Sequence, residues 1–283
     1  MINKTFMSMA RVKTFLILVE GYTMASEKKD NKIMVFFQGF LGIALFFLLW
    51  EYAPRLGWVD KEFLPPVTDV LKSLVEFTVS GDLFTHGGVS LGRAASGFGI
   101  AAGLAIPLGF LIGWVTIIKN LLNPLLQTFR QLPTLALYPV FMLLFGIGEV
   151  SKIAIITKSC FWPIFLNTAS AVADVDPLLV KSAKSMCLSK FGMFHKIVLP
   201  SIFPSMFTGL RMSATTAILM LVAAEMMGAN AGLGYIIYFA ESHFQIPLMY
   251  GAILLFILLG LCTHYGLTYL EKRISSWKQV LVT

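Results

Sequence analysis

The sequence predicts an all-α, polytopic membrane protein with about six transmembrane helices. Of its 283 residues, 57% are hydrophobic and only 13% are charged, whereas roughly 25% of the residues in an average soluble domain are charged. The apolar residues fall in blocks of membrane length, since a helix needs about 20 residues to cross the hydrocarbon of a bilayer. Most charged residues lie between these blocks. A water-soluble domain is therefore excluded.

The first predicted span follows a basic N-terminal arm, residues 1–32. The apolar stretch of this arm, Phe15–Val19, is shorter than the core of a signal peptide, so we expect the arm to stay on the chain. An internal start at Met24 stays open. Residues 33–52 contain one polar residue before Glu51, and Pro54 ends the span. The segment after it has apolar residues at helical spacing, which predicts an amphipathic helix at the membrane surface. These residues are Val67, Val70, Leu71 and Leu74.

The second and third spans differ in the residues that interrupt them. Residues 89–116 are rich in glycine and alanine, the small residues that let membrane helices approach each other closely. Residues 121–145 contain Pro124, Pro133 and Pro139. Three prolines predict a kinked helix whose freed carbonyl groups need partners, which favours a position inside the bundle.

The remaining spans are predicted at residues 150–172, 206–227 and 247–270. Together they complete a transmembrane domain of residues 33–273, with a polar loop at 174–204 and a tail at 274–283. Lysine and arginine are concentrated in the arm, this loop and the tail, whereas the opposite loops hold chiefly Arg55, Lys61 and Lys72. The asymmetry predicts that both termini and the loop are cytoplasmic. It also explains the net charge of +7 without nucleic-acid binding.

The loop at residues 174–204 is longer than a simple connection needs. Asp176 can cap a helix that begins at Pro177, and Ser189 can cap a second short helix that ends before Pro200. We expect the apolar residues of the first helix to share one side, and those of the second to recur at helical spacing. They are Leu178, Leu179, Ala183 and Met186, then Phe191, Phe194 and Val198. Two such helices are typical of a docking element for a soluble partner. The alternative is a hairpin folded back on its own bundle.

This loop resembles the cytoplasmic loop of ABC importer permeases, which carries Glu-Ala-Ala, then Gly, then Ile-x-Leu-Pro. Here the same register has Lys181-Ser182-Ala183, Cys187 and Ile197-Val198-Leu199-Pro200. Lys181 therefore stands where the family has its acidic residue. The resemblance implies that the loop engages an ATPase. The residues implied in this contact are Leu179, Lys181, Ala183, Met186, Cys187, Phe191, Phe194, Ile197, Leu199 and Pro200.

Five further motifs follow the order of the sulfonate, taurine and nitrate branch of these permeases. They are Leu64-Pro65-Pro66, Ser90-Leu91-Gly92-Arg93, Pro139 with Phe145-Gly146-Ile147-Gly148-Glu149, Ala224-Glu225-Met226, and Gly232-Leu233-Gly234-Tyr235. The resemblance implies a small anionic solute, partner ATP-binding cassette subunits, a second permease copy or paralogue, and an external substrate-binding protein. Pyrimidine-like vitamin precursors and aromatic acids stay open as substrates. It also implies a bacterial-type cytoplasmic membrane, with contacts to lipid.

Polar residues on the predicted third and fifth spans are candidates for the pathway lining. On the third they recur at helical spacing, and a charge in hydrocarbon costs several kcal/mol, so this stripe should face protein or water. The stripe consists of Asn123, Gln127, Arg130, Gln131 and Thr134. Arg130 either attracts an anion or extends to the membrane surface. On the fifth span, Thr208, Thr215 and Thr216 either line the path or bond the preceding turn. Glu225 is either a gate residue or the partner of a backbone amide.

No pattern of catalytic residues competes with transport. The sequence lacks a Gly-rich phosphate loop, and its four histidines have no metal-ligand spacing. We therefore expect no cofactor on this chain, with ATP and Mg²⁺ bound by the partner. The three cysteines, an odd number, imply no disulfide framework. A secondary transporter driven by an ion gradient is the alternative, and a scaffold without a transport role is a third hypothesis. Secondary transporters often show inverted repeats and ionisable residues at the midplane.

Overall fold

The structure is a computed structural model that describes residues 38–186 and 188–274. All regular structure in these ranges is helical. The chain divides into two compact units, residues Met1–Asp69 and Val70–Thr283. In the described part of the first unit, helix α1 covers residues 38–55. Its end is fixed by the segment that contains the Leu64-Pro65-Pro66 motif: Trp50 Nε1 donates to the carbonyl oxygen of Pro65 at 3.1 Å. Glu51 accepts the backbone N–H of Thr68 at 3.0 Å.

The amphipathic helix is α2 (Val67–Val79), whose first three residues belong to the first unit. The helices of the second unit that follow are α3 (Asp82–Trp114), α4 (Thr116–Gln131), α5 (Tyr138–Phe145), α6 (Glu149–Ala173), α7 (Pro177–Ser185), α8 (Lys190–Met193), α9 (Leu199–Met226), α10 (Leu233–Ser242) and α11 (Ile246–Ile274). A 3-10 turn, Leu135–Leu137, precedes α5, and a π-helical turn, Phe194–Val198, joins α8 to α9.

Three described helical stretches are long and apolar enough to cross a membrane: Asp82–Trp114, Phe191–Met226 and Ile246–Ile274. The predicted all-α membrane fold is therefore confirmed. Helix α6 has a comparable length of 25 residues but includes Lys152 and Lys158. The predicted third span is divided between α4 and α5.

Helices α3 and α6 form the centre of the bundle and run in the same direction. A Cβ atom added at Gly97 would lie 2.6 Å from Ile156 Cγ2, and one added at Gly109 would lie 2.8 Å from Thr168 Cβ. At Gly113 the backbone oxygen of Ala169 would lie 2.6 Å away. Glycine is required at these three positions because the helix backbones approach too closely for a side chain.

Helix α9 runs antiparallel to α6, and α11 returns along α9. Ser213 Oγ donates to the carbonyl oxygen of Cys160 at 2.7 Å, and Arg211 pairs with Glu271 at 2.9 Å. The α7–α8 hairpin follows the last residue of α6, so the end of α11 lies on the same side of the bundle as the hairpin. The first residue of α6 and the last turn of α9 lie at the opposite end.

Two predicted element boundaries are wrong. The third span is not one kinked helix, because the backbone leaves the helix at Leu132–Thr134, around Pro133. The second loop helix does not end before Pro200: the chain continues into α9 with Pro200 in its first turn. Proline lacks an N–H group, and a first-turn amide has no partner within its helix in any case. The wider π turn before it bonds Leu199 N–H to the carbonyl of Phe194.

Candidate functional site

The α7–α8 hairpin begins with the caps that the sequence predicts. Leu178 N–H donates to Asp176 Oδ1 at 2.7 Å, and Gly192 N–H donates to Ser189 Oγ at 3.1 Å. Side-chain oxygens thus satisfy amide groups that have no partner within a helix start. Both short helices are fixed at their beginnings.

One side of the hairpin packs on the bundle. Ala183, Met193 and Val198 are buried, and the ring of Phe194 lies 5.1 Å from the ring of Phe110 on α3. Val172 at the end of α6 belongs to the same cluster. The hairpin therefore has an inner face of its own.

The other side of the hairpin carries large apolar side chains in solvent. Phe191 is 78% exposed, Met186 73% and Leu178 66%, and Leu179 is also exposed. Among the residues predicted to share one side of the first helix, Ala183 is buried while Leu178, Leu179 and Met186 are exposed.

The other residues of the predicted ATPase contact have different surroundings. Lys181 is exposed. Ile197, Leu199 and Pro200 are half-buried where the π turn enters α9. Cys187 lies outside the described residues.

The predicted polar stripe lies along α4. Asn123, Gln127, Arg130 and Gln131 are exposed. A half-open cavity of about 200 Å³ between α3, α4 and α6 is lined by Lys119, Asn123, Gln127 and Ser170, with Phe165 and Ala169 as apolar walls. Part of the stripe therefore faces an internal cavity.

The stripe ends at a lysine that the sequence analysis overlooked. Lys158 of α6 donates from Nζ to the carbonyl oxygen of Leu132 at 2.7 Å and to Thr134 Oγ1 at 2.9 Å. The carbonyl belongs to the helix break around Pro133. Lysine inside an apolar span is itself a sequence signal of a functional position, so Lys158 was detectable.

The threonines of α9 bond their own helix. Thr208 donates to Pro204, Thr215 to Arg211 and Thr216 to Met212, each to the carbonyl four residues earlier. This is the alternative arrangement given for them above. Thr208 and Thr216 are half-buried, and Thr215 is exposed.

Glu225 belongs to a buried ion cluster at the end of the bundle opposite the hairpin. Arg93 Nη1 donates to Glu225 Oε1 at 2.7 Å, and Ser90 Oγ lies 2.8 Å from each carboxylate oxygen. The Glu225 side chain is 0% exposed and that of Arg93 is 5% exposed. Arg93 also makes a two-point contact with Glu149, at 2.6 Å for each bond. The cluster joins α3, α6 and α9.

The same cluster holds the connection between α9 and α10. Glu225 accepts the backbone N–H of Gly234, and Ser90 Oγ accepts that of Leu233, both at 2.8 Å. Arg93 donates to the carbonyl of Ala231 at 2.6 Å. The partner of a backbone amide, one of the two roles considered for Glu225, is thus seen directly.

His86 contributes to this connection as well. Its Nδ1 accepts the backbone N–H of Gly232 at 3.1 Å, and its ring stacks near Phe77 and Tyr235. Within the described residues, no group of three or more side chains is suited to a metal ion.

Sequence analysis found the motifs of this cluster but not their connection. Ser90 and Arg93 come from one quoted motif, Glu149 from a second, and Glu225 and Gly234 from two others. Each contact joins residues separated by more than 50 positions, apart from the bond to Gly234. A pairing of this kind leaves no local pattern in the chain.

Long apolar helices packed in parallel and antiparallel pairs define a helical membrane protein. The chain belongs to the family of binding-protein-dependent transport system inner membrane components, whose model matches residues 105–276. The predicted resemblance is therefore confirmed.

Several known proteins are similar to the chain. An aliphatic sulfonates transport permease protein of Bacillus subtilis, SsuC, is 33% identical over 89% of this chain and 91% of its own length. The taurine transport system permease protein TauC of Escherichia coli is 28% identical over 83% and 87%. The MetNI methionine ABC transporter in an inward-facing conformation has a TM-score of 0.59 at 19% identity, covering 70% of this chain and 97% of the other. This last similarity concerns the fold.

The chain is thus the transmembrane permease subunit of an ABC importer and an inner membrane component. It is a transport subunit, and ATP hydrolysis belongs to a separate subunit. Its partners include that ATPase and a substrate-binding protein. The alternative of an ion-gradient-driven secondary transporter finds no support.

Proposed function

We propose that this permease imports a small organic anion of the sulfonate or taurine type, which an external binding protein delivers. Two relatives carry names that specify aliphatic sulfonates and taurine. A polar stripe with cations at both of its ends, Lys119 and Lys158, agrees with an anionic solute. The chain needs no cofactor of its own in this scheme, since ATP and Mg²⁺ bind to the ATPase.

A second permease subunit, either another copy or a paralogue, completes the pathway. The stripe on α4 supports this arrangement, because Asn123, Gln127, Arg130 and Gln131 are exposed along a helix within an apolar bundle. Polar groups in the membrane need protein or water as neighbours. A facing subunit supplies both.

The hairpin α7–α8 is the docking site of the ATPase. The observation that carries this proposal is the combination of a packed inner face with an exposed outer face that includes Leu178, Met186 and Phe191. Large exposed apolar patches mark interaction sites. Lys181 is available only for a rim contact, which is worth about 0–1 kcal/mol.

Three substitutions test the docking surface. Phe191→Ala removes an exposed ring, so we expect it to reduce co-purification of the ATPase at least about tenfold while the melting temperature of the permease alone stays unchanged. Phe194→Ala removes a half-buried ring packed on Phe110 and should lower that melting temperature, by less than the roughly 3 kcal/mol or more that truncating a fully buried aromatic side chain costs. Lys181→Ala should change neither quantity greatly.

The control is Phe84→Ala. Phe84 is 73% exposed at the beginning of α3, at the end of the bundle opposite the hairpin. It should retain the ATPase. Loss of the ATPase with Lys181→Ala but not with Phe191→Ala would show that charge, rather than apolar contact, holds the two subunits together.

The substrate class is tested in proteoliposomes that contain the permease, its ATPase and the binding protein. We expect ATP-dependent uptake of labelled taurine or ethanesulfonate. Binding of neither compound by the external protein, together with no uptake, would exclude the sulfonate class. The native mass of the detergent-solubilised complex tests the second permease subunit, and a single permease would contradict it.

A further inference from the structure

Lys158 lies in the middle of a long helix and, among the described residues, has no ion-pair partner. Arg93, Lys152 and Arg211 each pair with a carboxylate. Lys158 pairs with none among the described residues and bonds only the neutral oxygens of Leu132 and Thr134. An uncompensated charge in hydrocarbon is costly and marks a functional position.

The position of Lys158 is deep within the bundle. It lies nine residues after the first residue of α6 and 15 before the last, about 14 Å and 22 Å along the helix axis at 1.5 Å per residue. The side chain cannot extend to a membrane surface over the longer distance, and it is instead held towards the break between α4 and α5. It is half-buried, so it is not sealed from a solute.

The ammonium group of Lys158 has a donor to spare. An ammonium carries three N–H donors, and protein oxygens receive two of them. The two bonds orient the group beside Thr134, whose hydroxyl lies at 2.9 Å. Charge, one further donor and a neighbouring hydroxyl together suit an oxyanion.

Lys158 lies on the same face of α6 as two residues that line the cavity beside α4. Lys158, Phe165 and Ala169 are spaced at i, i+7 and i+11 and share one face of α6. Phe165 and Ala169 form one wall of the cavity that Asn123 and Gln127 of α4 line from the other side. Lys158 therefore lies next to the end of the α4 stripe that is farther from the hairpin.

We propose that Lys158 and Thr134 form an anion-binding position within the translocation pathway, which takes the sulfonate group of the solute during its passage. This inference rests on the proposed function for the class of solute. Arg130, which the sequence made the candidate for this role, lies in the last turn of α4, before the helix break that contains Thr134, and is exposed. Lys158 is the better placed cation because the bundle holds its charge inside.

The test measures the local charge preference without relying on import. In a variant of the complete complex whose cysteines 160, 187 and 262 are replaced, Thr134→Cys is treated with a small anionic thiosulfonate that carries a sulfonate group, and with a cationic one of similar size. We expect the anionic reagent to react at least about tenfold faster than the cationic one. A cation next to the thiol in a partly desolvated site raises the local concentration of an anionic reagent and lowers that of a cationic one. Added ethanesulfonate should slow the reaction.

Adding Lys158→Gln should abolish this preference, and Lys158→Arg should retain it. A preference that survives Lys158→Gln but falls with Arg130→Gln would overturn the assignment. So would failure of both reagents to react with Thr134→Cys in the folded complex. A melting temperature of each variant near that of the parent shows that folding is not the cause.

Transport gives the second measurement. Lys158→Gln should raise the KM for uptake at least about tenfold, and Lys158→Arg should raise it less. If the parent complex takes up no sulfonate but keeps the reagent preference, the proposed solute class fails and the anion position stands. Unchanged KM in Lys158→Gln would remove Lys158 from the pathway.

Discussion

At the scale of single residues, one arginine joins three helices through their side chains. Arg93 is almost fully enclosed and contacts Glu149, Glu225 and the carbonyl of Ala231. Two carboxylates share this guanidinium, and Lys152 lies 3.6 Å from Glu149. The four side chains therefore carry no net charge when all are ionised, which makes their burial tolerable.

Removing one member of this cluster should be costly. Glu225→Gln leaves Arg93 with less compensation, and loss of one partner of a buried ion pair costs about 3–5 kcal/mol. We expect a clear fall in the melting temperature of the purified permease. Glu149→Gln should cost less because the Glu149 side chain is 58% exposed. An equal effect of the two substitutions would mean that burial does not set the strength of these contacts.

Gly232 shows a second constraint at the residue scale. It has φ +119, and an added Cβ atom would lie 2.4 Å from the Glu225 carboxylate. Gly228 has nearly the same backbone angle, φ +117, but its nearest neighbour would be Ile147 at 4.0 Å. Gly228→Ala thus isolates the backbone strain, about 1–3 kcal/mol. Gly232→Ala should lower the melting temperature further, because it also displaces Glu225. Equal losses would show that the carboxylate moves aside freely.

At the scale of elements, the contact between α3 and α6 depends on which glycines face it. Gly97, Gly109 and Gly113 leave no space for a side chain, whereas Gly99 and Gly103 on the same helix have nothing within 4 Å. The sequence analysis treated the glycines of this span alike, as small residues that permit close packing. The two groups differ in the side of α3 on which they lie, and only the rotation of α3 about its axis decides which side faces α6.

This division predicts opposite outcomes for the same substitution. Gly109→Ala should destabilise the permease by about 1–3 kcal/mol, as overpacking commonly does. Gly103→Ala should leave stability unchanged or slightly raised, since alanine favours the helix. Thermal unfolding in one detergent measures both. A fall with Gly103→Ala would indicate that its face is covered in the assembled protein.

The long apolar helices could be predicted from the sequence, whereas the points at which helices break could be predicted only in part. The blocks that became α3, α6, α9 and α11 are set by hydropathy and length, which act locally. The prolines marked where the helical structure changes but not how it changes. Pro133 breaks a helix instead of kinking it, whereas Pro200 lies in the first turn of a helix instead of after the end of one. That difference depends on the π turn before Pro200 and on Val198, which is fully buried. Tertiary packing decides between the two.

In the candidate site, local contacts could be predicted from the sequence and contacts between helices could not. The α7 and α8 caps were predicted because a cap is a local hydrogen bond. The pairing of Arg93 with Glu225 and of Lys158 with Thr134 was not, since both join separate helices. Helix α10 was missed because its 10 residues are short and lie between two longer apolar blocks. The glycine before its first residue, Gly232, lies against the carboxylate of Glu225, seven residues earlier in the chain.

At the scale of the whole molecule, the direction of the helices gives a two-sided protein. The hairpin, the start of α9 and the end of α11 lie at one end of the second unit. The ion cluster and the connection between α9 and α10 lie at the other. If the hairpin meets an ATPase in the cytoplasm, the ion cluster belongs to the outer side and the end of α11 to the inner side.

Labelling of introduced cysteines tests this orientation. Ser182 in α7 and Asn230 between α9 and α10 are both exposed, so neither depends on unfolding to react. In a background without the three native cysteines, an impermeant maleimide added to intact cells should label Asn230→Cys and spare Ser182→Cys. Both should be labelled after the cells are opened, because the maleimide then reaches both sides of the membrane. Labelling of Ser182→Cys in intact cells would show the opposite orientation, with the hairpin outside the cell, where no ATPase can reach it.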